Sequence, residues 1–263
     1  MTEFNTSDKH YFQFTKPSHF NYLNSGIQVI YLVFLVAEIG VNWDGDLELV
    51  KSMMSKAKET GFDAIKFQAY NENMIKDHPL SKRLMKSAIT KNNIENINTI
   101  AKSVGIEWFC TPMYPEAVDL LEPFVNKFKI RVADGRSLFE NSSSKLINKI
   151  LESDKEIIVS VEKNPKISKF SNNQKINWLY CVPKYPCSLS DLDFRDLNKF
   201  DGYSNHCRNI LAPLIAVALG AEIIEVHVTS DKSKDFIDNP VSFDYSEQLE
   251  LCTQIRNCEK IQI

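Results

Sequence analysis

From residue 32 onward the chain alternates short apolar runs, rich in Val, Ile and Phe, with amphipathic segments of helical length. The runs are "LVFLVAE" (32–38), "DAIKFQ" (63–68), "IEWFCT" (106–111), "NKFKIRV" (126–132), "EIIVSV" (156–161), "INWLYCV" (176–182), "FDGYSN" (200–205) and "EIIEVHV" (222–228). Near-continuous apolar strands parted by helical crossovers are what a parallel sheet covered on both faces requires. Eight of them predict an α/β fold, a (β/α)8 TIM barrel in a single domain over residues 31–263. Residues 1–30 include "TSDKHYFQFTKPSHFNYLNSG", which has no sustained period, and are expected to form an N-terminal arm or short hairpin.

Helices are predicted in "DLELVKSMMSKAKETG", "NNIENINTIAKSVG", "PEAVDLLEPF", "SKLINKILESD", "SDLDFRDLNK", "NILAPLIAVALG" and "DYSEQLELCTQIRNCEKI". Three of these close in glycine (Gly61, Gly105, Gly220), the usual residue just beyond a helix end. The fifth connection, "EKNPKISKFSNNQK", is irregular and predicts a short helix or none.

Charge excludes some functions. With 31 basic and 34 acidic residues the net charge is −3, so no general field draws nucleic acid or anionic membrane, and any anionic ligand must be held by local groups. The longest apolar stretch, "VIYLVFLVA" (29–37), is far shorter than the roughly 20 residues of a spanning helix. It lacks the basic start and cleavage site of a signal peptide, and a cytoplasmic protein is expected. The six cysteines form no CxxC pair and read as reduced, mostly buried thiols.

In such a barrel the chemistry comes from the C-terminal ends of the strands. Polar groups concentrate there: Glu38 on the first strand, Lys66 and Gln68 on the second, Thr111 on the third, Lys129 with Asp134 just beyond the fourth. Ser160 lies on the fifth, Lys184 and Tyr185 follow the sixth, Ser204, Asn205 and His206 end the seventh, and Glu225 and His227 lie two apart on the eighth. A single Ser or Thr at such a place is an ordinary loop-start residue. Glu38, Lys66 and Lys129 are different, because each interrupts an apolar run where an unpaired charge is costly. His206 and His227 end neighbouring strands, which fits a divalent-metal site as readily as two satisfied core histidines. His10, His19 and His78 lie in polar or irregular segments. Cys207 beside His206 points the other way along a strand, and Cys110 reads as a buried thiol rather than a nucleophile. These residues imply a metal-assisted carbon–carbon bond reaction on a phosphorylated or carboxylated substrate.

The block "AEIGVNWDGDLELVKSMMSKAKETGFDAIKFQ", followed in order by "GIEWFCTP", "FKIRVAD", "YCVPKYP", "GYSNHC", "VALGAEIIEVHVT" and "DFIDNPVSF", resembles the barrel domain of the N-acetylneuraminate (sialic acid) synthase family. That resemblance implies phosphoenolpyruvate-dependent condensation with an N-acyl hexosamine aldehyde to a sialic-acid-like nonulosonate. It implies Mn2+ or Mg2+ on His206 and His227, and Lys66, Thr111, Lys129, Ser160 and Ser204 around phosphate and carboxylate oxygens. Glu38 would handle the water that adds at C2, Gln68, Tyr185 and Asp238 would contact the sugar, and Asp134 and Glu225 complete the expected set. The resemblance also implies a homodimer.

The chain departs from the family pattern. Arg131, Val132, Ala133 and Asp134 stand where a small residue, Ser, Gly and an acid are usual, so an anion-binding hydroxyl is replaced and Arg131 brings a charge. Pro183 replaces a polar residue, Val161 and Glu162 replace Thr-Gly, and Asn205 replaces Asp. The family's C-terminal antifreeze-like domain, which contacts the sugar, has no counterpart in these 263 residues, and a separate sugar-binding partner is expected to serve in its place. Two other readings remain open on the residues: a Schiff-base aldolase using Lys129 or Lys66, and a barrel that binds a sugar or partner without turnover.

Overall fold

The computed structural model describes residues 32–140 and 144–261; the arm expected over residues 1–30 lies outside the described residues. All eight runs form strands: β1 (Phe34–Glu38), β2 (Ala64–Ala69), β3 (Glu107–Pro112), β4 (Lys127–Ile130), β5 (Glu156–Val161), β6 (Ile176–Tyr180), β7 (Gly202–Asn205) and β8 (Ile223–His227). They pair in parallel in chain order, and β8 returns to pair with β1, closing the barrel. The helices are α1 (Leu47–Thr60), α2 (Glu72–Ile75), α3 (Ser81–Lys86), α4 (Ile94–Val104), α5 (Pro115–Leu121), α6 (Val132–Gly135), α7 (Lys145–Glu152), α8 (Leu211–Ala218) and α9 (Tyr245–Cys258).

The local chemistry of α1 shows why these segments are helical. Asp46 accepts hydrogen bonds from the backbone N–H groups of Glu48 and Leu49, satisfying two of the donors a helix start leaves open. Val50, Met53, Met54 and Ala57, spaced for one helical face, are buried toward the sheet. Gly61 then stops the helix at φ 108°, a conformation that a side chain would strain. On the sheet's outer face Phe67 is fully buried and meets Trp43 and Trp108 edge-on at 6.2 and 6.1 Å. Burying one such ring stabilises the fold by about 2–3 kcal/mol.

Two connections depart from the simple βα repeat. The irregular fifth contains only a 3-10 turn at Pro165–Ile167, as its composition suggested. The helix predicted in "SDLDFRDLNK" is a correction: the segment holds two 3-10 turns, Leu189–Asp191 and Leu197–Lys199. Asp191 accepts from Ser188 and Lys184, and Asp193 from Arg195, so the carboxylates hydrogen-bond locally and compete with a helix.

Register decides what enters the barrel. Parallel partners share a face, and Glu38 lies opposite both Lys66 and His227, Gln68 opposite Thr111, and Ser204 opposite Glu225. On the same inner face Lys66 also lies opposite Phe109, Lys129 opposite Ile158 and Ser160 opposite Leu179. The barrel therefore carries a polar layer at its C-terminal end on a largely apolar floor.

Candidate active site

Two lysines and two carboxylates form the base of the site. Lys66 Nζ is 2.9 Å from Glu38 Oε2 and 3.7 Å from Glu225 Oε1. Lys129 Nζ donates to Ser160 Oγ at 2.7 Å and to Glu225 Oε1 at 3.0 Å, and Ser204 Oγ donates to the same oxygen at 2.9 Å. Thr111 Oγ1 lies 3.4 Å from Lys66 Nζ. Glu225 is thus the counter-ion shared by both lysines, with one oxygen gathering donors and Oε2 buried without a hydrogen-bond partner among the described residues.

The lysines respond in opposite directions. Burial disfavours the Lys66 charge, but Glu225 and Glu38 together outweigh it and hold its pKa above the ordinary value. Burial lowers that of Lys129, and the attraction of Glu225, itself opposed by the neighbouring Lys66, does not restore it. Burial also resists the Glu225 charge, yet Lys129 and Lys66 overcome it and bring the carboxyl down to about 2.

At the mouth above β1, Gln68 Nε2 donates to Glu38 Oε1 at 2.7 Å. Gly40, at φ 53°, lies under this contact, and a Cβ there would sit 3.1 Å from Glu38 Oε1, Gln68 Nε2 and Asp238 Oδ2 alike. A side chain there would be strained at this φ and would press the three groups apart. Asp238 is fixed from behind: Asn42 Oδ1 accepts its backbone N–H at 3.0 Å, while Asn42 Nδ2 donates to Val228 O and Ser242 Oγ, each at 2.9 Å.

The two predicted imidazoles do converge, with ring centroids 5.5 Å apart. His206 Nδ1 lies 3.0 Å from the Val182 carbonyl, which can only accept, so the proton sits on Nδ1 and Nε2 keeps its lone pair. Burial, reinforced by His227, lowers its pKa to about 4 and keeps the ring neutral near pH 7, the form that ligates metal. His227 Nδ1 is 3.2 Å from Asp238 Oδ2, and the Tyr185 hydroxyl lies 3.1 Å from both ring nitrogens. Among the described residues no group of three His, Cys, Asp or Glu side chains forms a cage. The protein thus offers two imidazole nitrogens, and this donor set suits a divalent ion whose other positions are filled by water and substrate oxygens.

The structure therefore brings Glu38, Lys66, Gln68, Thr111, Lys129, Ser160, Ser204, Glu225, Tyr185, His206, His227 and Asp238 into one connected site. It does not bring in Asp134, whose carboxylate holds Arg131 Nε at 2.6 Å instead of reaching the lysines. Lys184 is an exposed partner of Asp191. Asn205 points away from the imidazoles, accepting from the Tyr203 hydroxyl and the Cys207 N–H. Burial pushes the Cys110 thiol well above its usual range, consistent with an inert core thiol. Sequence reasoning passed over Asn42, visible only as a polar residue in the turn after β1, and Cys181, whose Sγ lies 3.8 Å from His206 Nδ1.

A closed barrel that buries two lysines and two carboxylates and brings a buried and a half-buried imidazole together at the C-terminal ends of its strands is built as an enzyme, and comparison with known proteins identifies the kind. Residues 53–262 match the NeuB family, and the chain belongs to it. An uncharacterized protein of Methanocaldococcus jannaschii is 31% identical over 87% of this chain and 71% of its own length. The N,N'-diacetyllegionaminic acid synthase of Campylobacter jejuni is 30% identical over 86% of this chain and 76% of its own. Among solved structures, the N-acetylneuraminic acid (sialic acid) synthetase of Leptospira borgpetersenii, crystallised with citrate, superposes with a TM-score of 0.78 at 27% identity, covering 92% of this chain and 90% of that one. The protein is a sialic-acid-synthase-like transferase.

Proposed function

We propose that the protein condenses phosphoenolpyruvate with the open-chain aldehyde of an N-acyl amino sugar, forming a sialic-acid-like nonulosonate and releasing phosphate. The observation that carries this reading is the pair of buried ion pairs, Lys66–Glu38 and Lys129–Glu225, at the strand ends that also bring two imidazoles together. Lys66 and Lys129, with the hydroxyls of Thr111, Ser160 and Ser204, receive phosphate and carboxylate oxygens. Glu225 keeps both ammonium groups in place. His206 and His227 are the residues that would hold Mn2+ or Mg2+, which when bound polarises the aldehyde oxygen as a Lewis acid. Gln68, Tyr185 and Asp238 line the mouth and orient the sugar.

In the reaction, C3 of phosphoenolpyruvate forms a bond to the aldehyde carbon, water adds at C2, and the C–O bond to phosphate then breaks. Glu38 is placed to orient that water and take its proton, because one oxygen is held by Gln68 and the other faces Lys66. Lys129 donates to Glu225 and Ser160, a fixed position that suits it to binding an anion. The C. jejuni and L. borgpetersenii proteins are named for different sugar acids, so the acceptor is to be found by a panel.

The test is phosphate release from phosphoenolpyruvate with a panel of N-acylated hexosamines, using metal-free and manganese-loaded protein. Release that requires both metal and one sugar, and that is lost in His206→Ala and His227→Ala, is expected. No release with any sugar from protein that still binds phosphoenolpyruvate would turn the reading toward binding without turnover or a missing partner. A borohydride-trapped adduct with pyruvate would turn it toward the aldolase.

A further inference from the structure

Arg131 lies one step beyond the last paired residue of β4, on the rim of the site. The register ends at Ile130 opposite Val159, and continuing it by one residue places Arg131 opposite Ser160. The backbone at Arg131 is still extended (φ −74°, ψ 163°), so strand alternation persists through it. Ser160 points inward, because its hydroxyl accepts from Lys129 Nζ. Arg131 therefore projects to the same side, one layer above Lys129 and nearer the open end, with its side chain 42% exposed.

Its unused donors set it apart from the two buried lysines. The Lys129 ammonium already serves Ser160 and Glu225, and that of Lys66 serves Glu38 and Thr111. Arg131 spends only Nε, on Asp134, and its two terminal nitrogens have no partner among the described residues. Several other cations of the strand-end loops are committed: Lys184 to Asp191, Arg136 to Glu162, and Arg83 to Asp44 and Asp235. The next residue, Val132, is buried and offers no hydroxyl.

We propose that Arg131 is a phosphate-binding residue of the donor site, clamping the phosphoryl group of phosphoenolpyruvate with its terminal nitrogens, while Asp134 acts as a positioning residue that fixes the guanidinium. The inference rests on the proposed function and adds the group that meets the phosphomonoester as it enters. A planar guanidinium fork matches two phosphoryl oxygens, whereas a lysine ammonium supplies a point charge. Once bound, the phosphoryl group spans Arg131 above and Lys129 below, without requiring either buried ion pair to break completely.

The test measures binding of inorganic phosphate and phosphoenolpyruvate by calorimetry at low ionic strength, for the wild type, Arg131→Gln, Arg131→Lys and Arg136→Gln. We expect Arg131→Gln to weaken both ligands by about tenfold or more, Arg131→Lys to fall between, and Arg136→Gln to bind as the wild type does. In turnover, Arg131→Gln should raise KM for phosphoenolpyruvate with a much smaller effect on kcat. Equal affinity in Arg131→Gln and wild type, equal losses in Arg131→Gln and Arg136→Gln, or no phosphate binding by the wild type would each overturn the assignment. Binding is read without turnover, so the proposal can stand if no sugar supports phosphate release. Conversely, normal synthase activity with unaltered binding in Arg131→Gln removes Arg131 and leaves the proposed function intact.

Discussion

Glu225 shows what a single residue must do inside a closed barrel. Two ammonium groups buried together repel and lose hydration, a cost that favours neutral amines unless a carboxylate is placed between them. Glu225 Oε1 occupies that place, receiving Lys129 and Ser204 and facing Lys66. Glu225→Gln keeps the shape and removes the charge, leaving Lys129 without its ionic partner. We expect a loss of about 3 kcal/mol in urea denaturation and a fall in phosphoenolpyruvate affinity. Adding Lys129→Met to Glu225→Gln should recover part of the stability but none of the binding; additive stability losses would show that the pair is uncoupled. The charged part of this cluster was legible because Glu38, Lys66 and Lys129 break runs that are otherwise apolar. Asn42 and Cys181 were not: their importance lies in which backbone and ring atoms they meet, and no periodicity reports that.

At the scale of elements, the strands were the readable part. Most are strongly apolar and bounded by turn residues, and the two-residue spacing of Lys66 with Gln68, and of Glu225 with His227, puts each pair on one face. Helix boundaries depended on caps. Asp46 satisfies two N–H groups at the start of α1, the helix that follows the Glu38 strand. Asp46→Ala should therefore cost about 1 kcal/mol in chemical denaturation while leaving phosphate binding unchanged; no loss would mean that water replaces the cap without penalty. The segment over residues 190–199 misled because its apolar residues are interspersed with polar ones over a helical length, while its aspartates close local turns. Periodicity reports which side chains are buried, and here three-residue turns bury Leu197 as a helix would. Asp134 misled in a similar way: one turn beyond β4 it lies close to Lys129 in sequence, but it is held by Arg131.

For the molecule as a whole, the site's titrations should govern acid stability in the metal-free protein. Burial lowers the His206 pKa from an ordinary 6.5 to about 4, so between these values the unfolded chain holds a proton that the folded protein lacks. Stability from this group is fully present above pH 6.5 and declines as pH falls toward 4, below which both states are protonated and the loss is complete. Such a shift corresponds to roughly 3 kcal/mol as an upper bound, because some water reaches the mouth. Glu225 acts lower: its carboxyl is held near 2, so its contribution is present above the ordinary value of 4.5 and is lost as pH drops through 2. The acid limb of metal-free protein should consequently have two stages, an upper one from His206 and a lower one from Glu225. Urea denaturation at half-unit steps from pH 7.5 to 2 checks this, with His206→Asn expected to flatten only the upper stage. Manganese should deepen that stage in the wild type, since the ion binds neutral imidazole and stabilises the folded protein most where His206 is unprotonated. If the wild type and His206→Asn decline in parallel, the neutral, metal-ready state of His206 is wrong, and the imidazole pair is a charged structural contact instead.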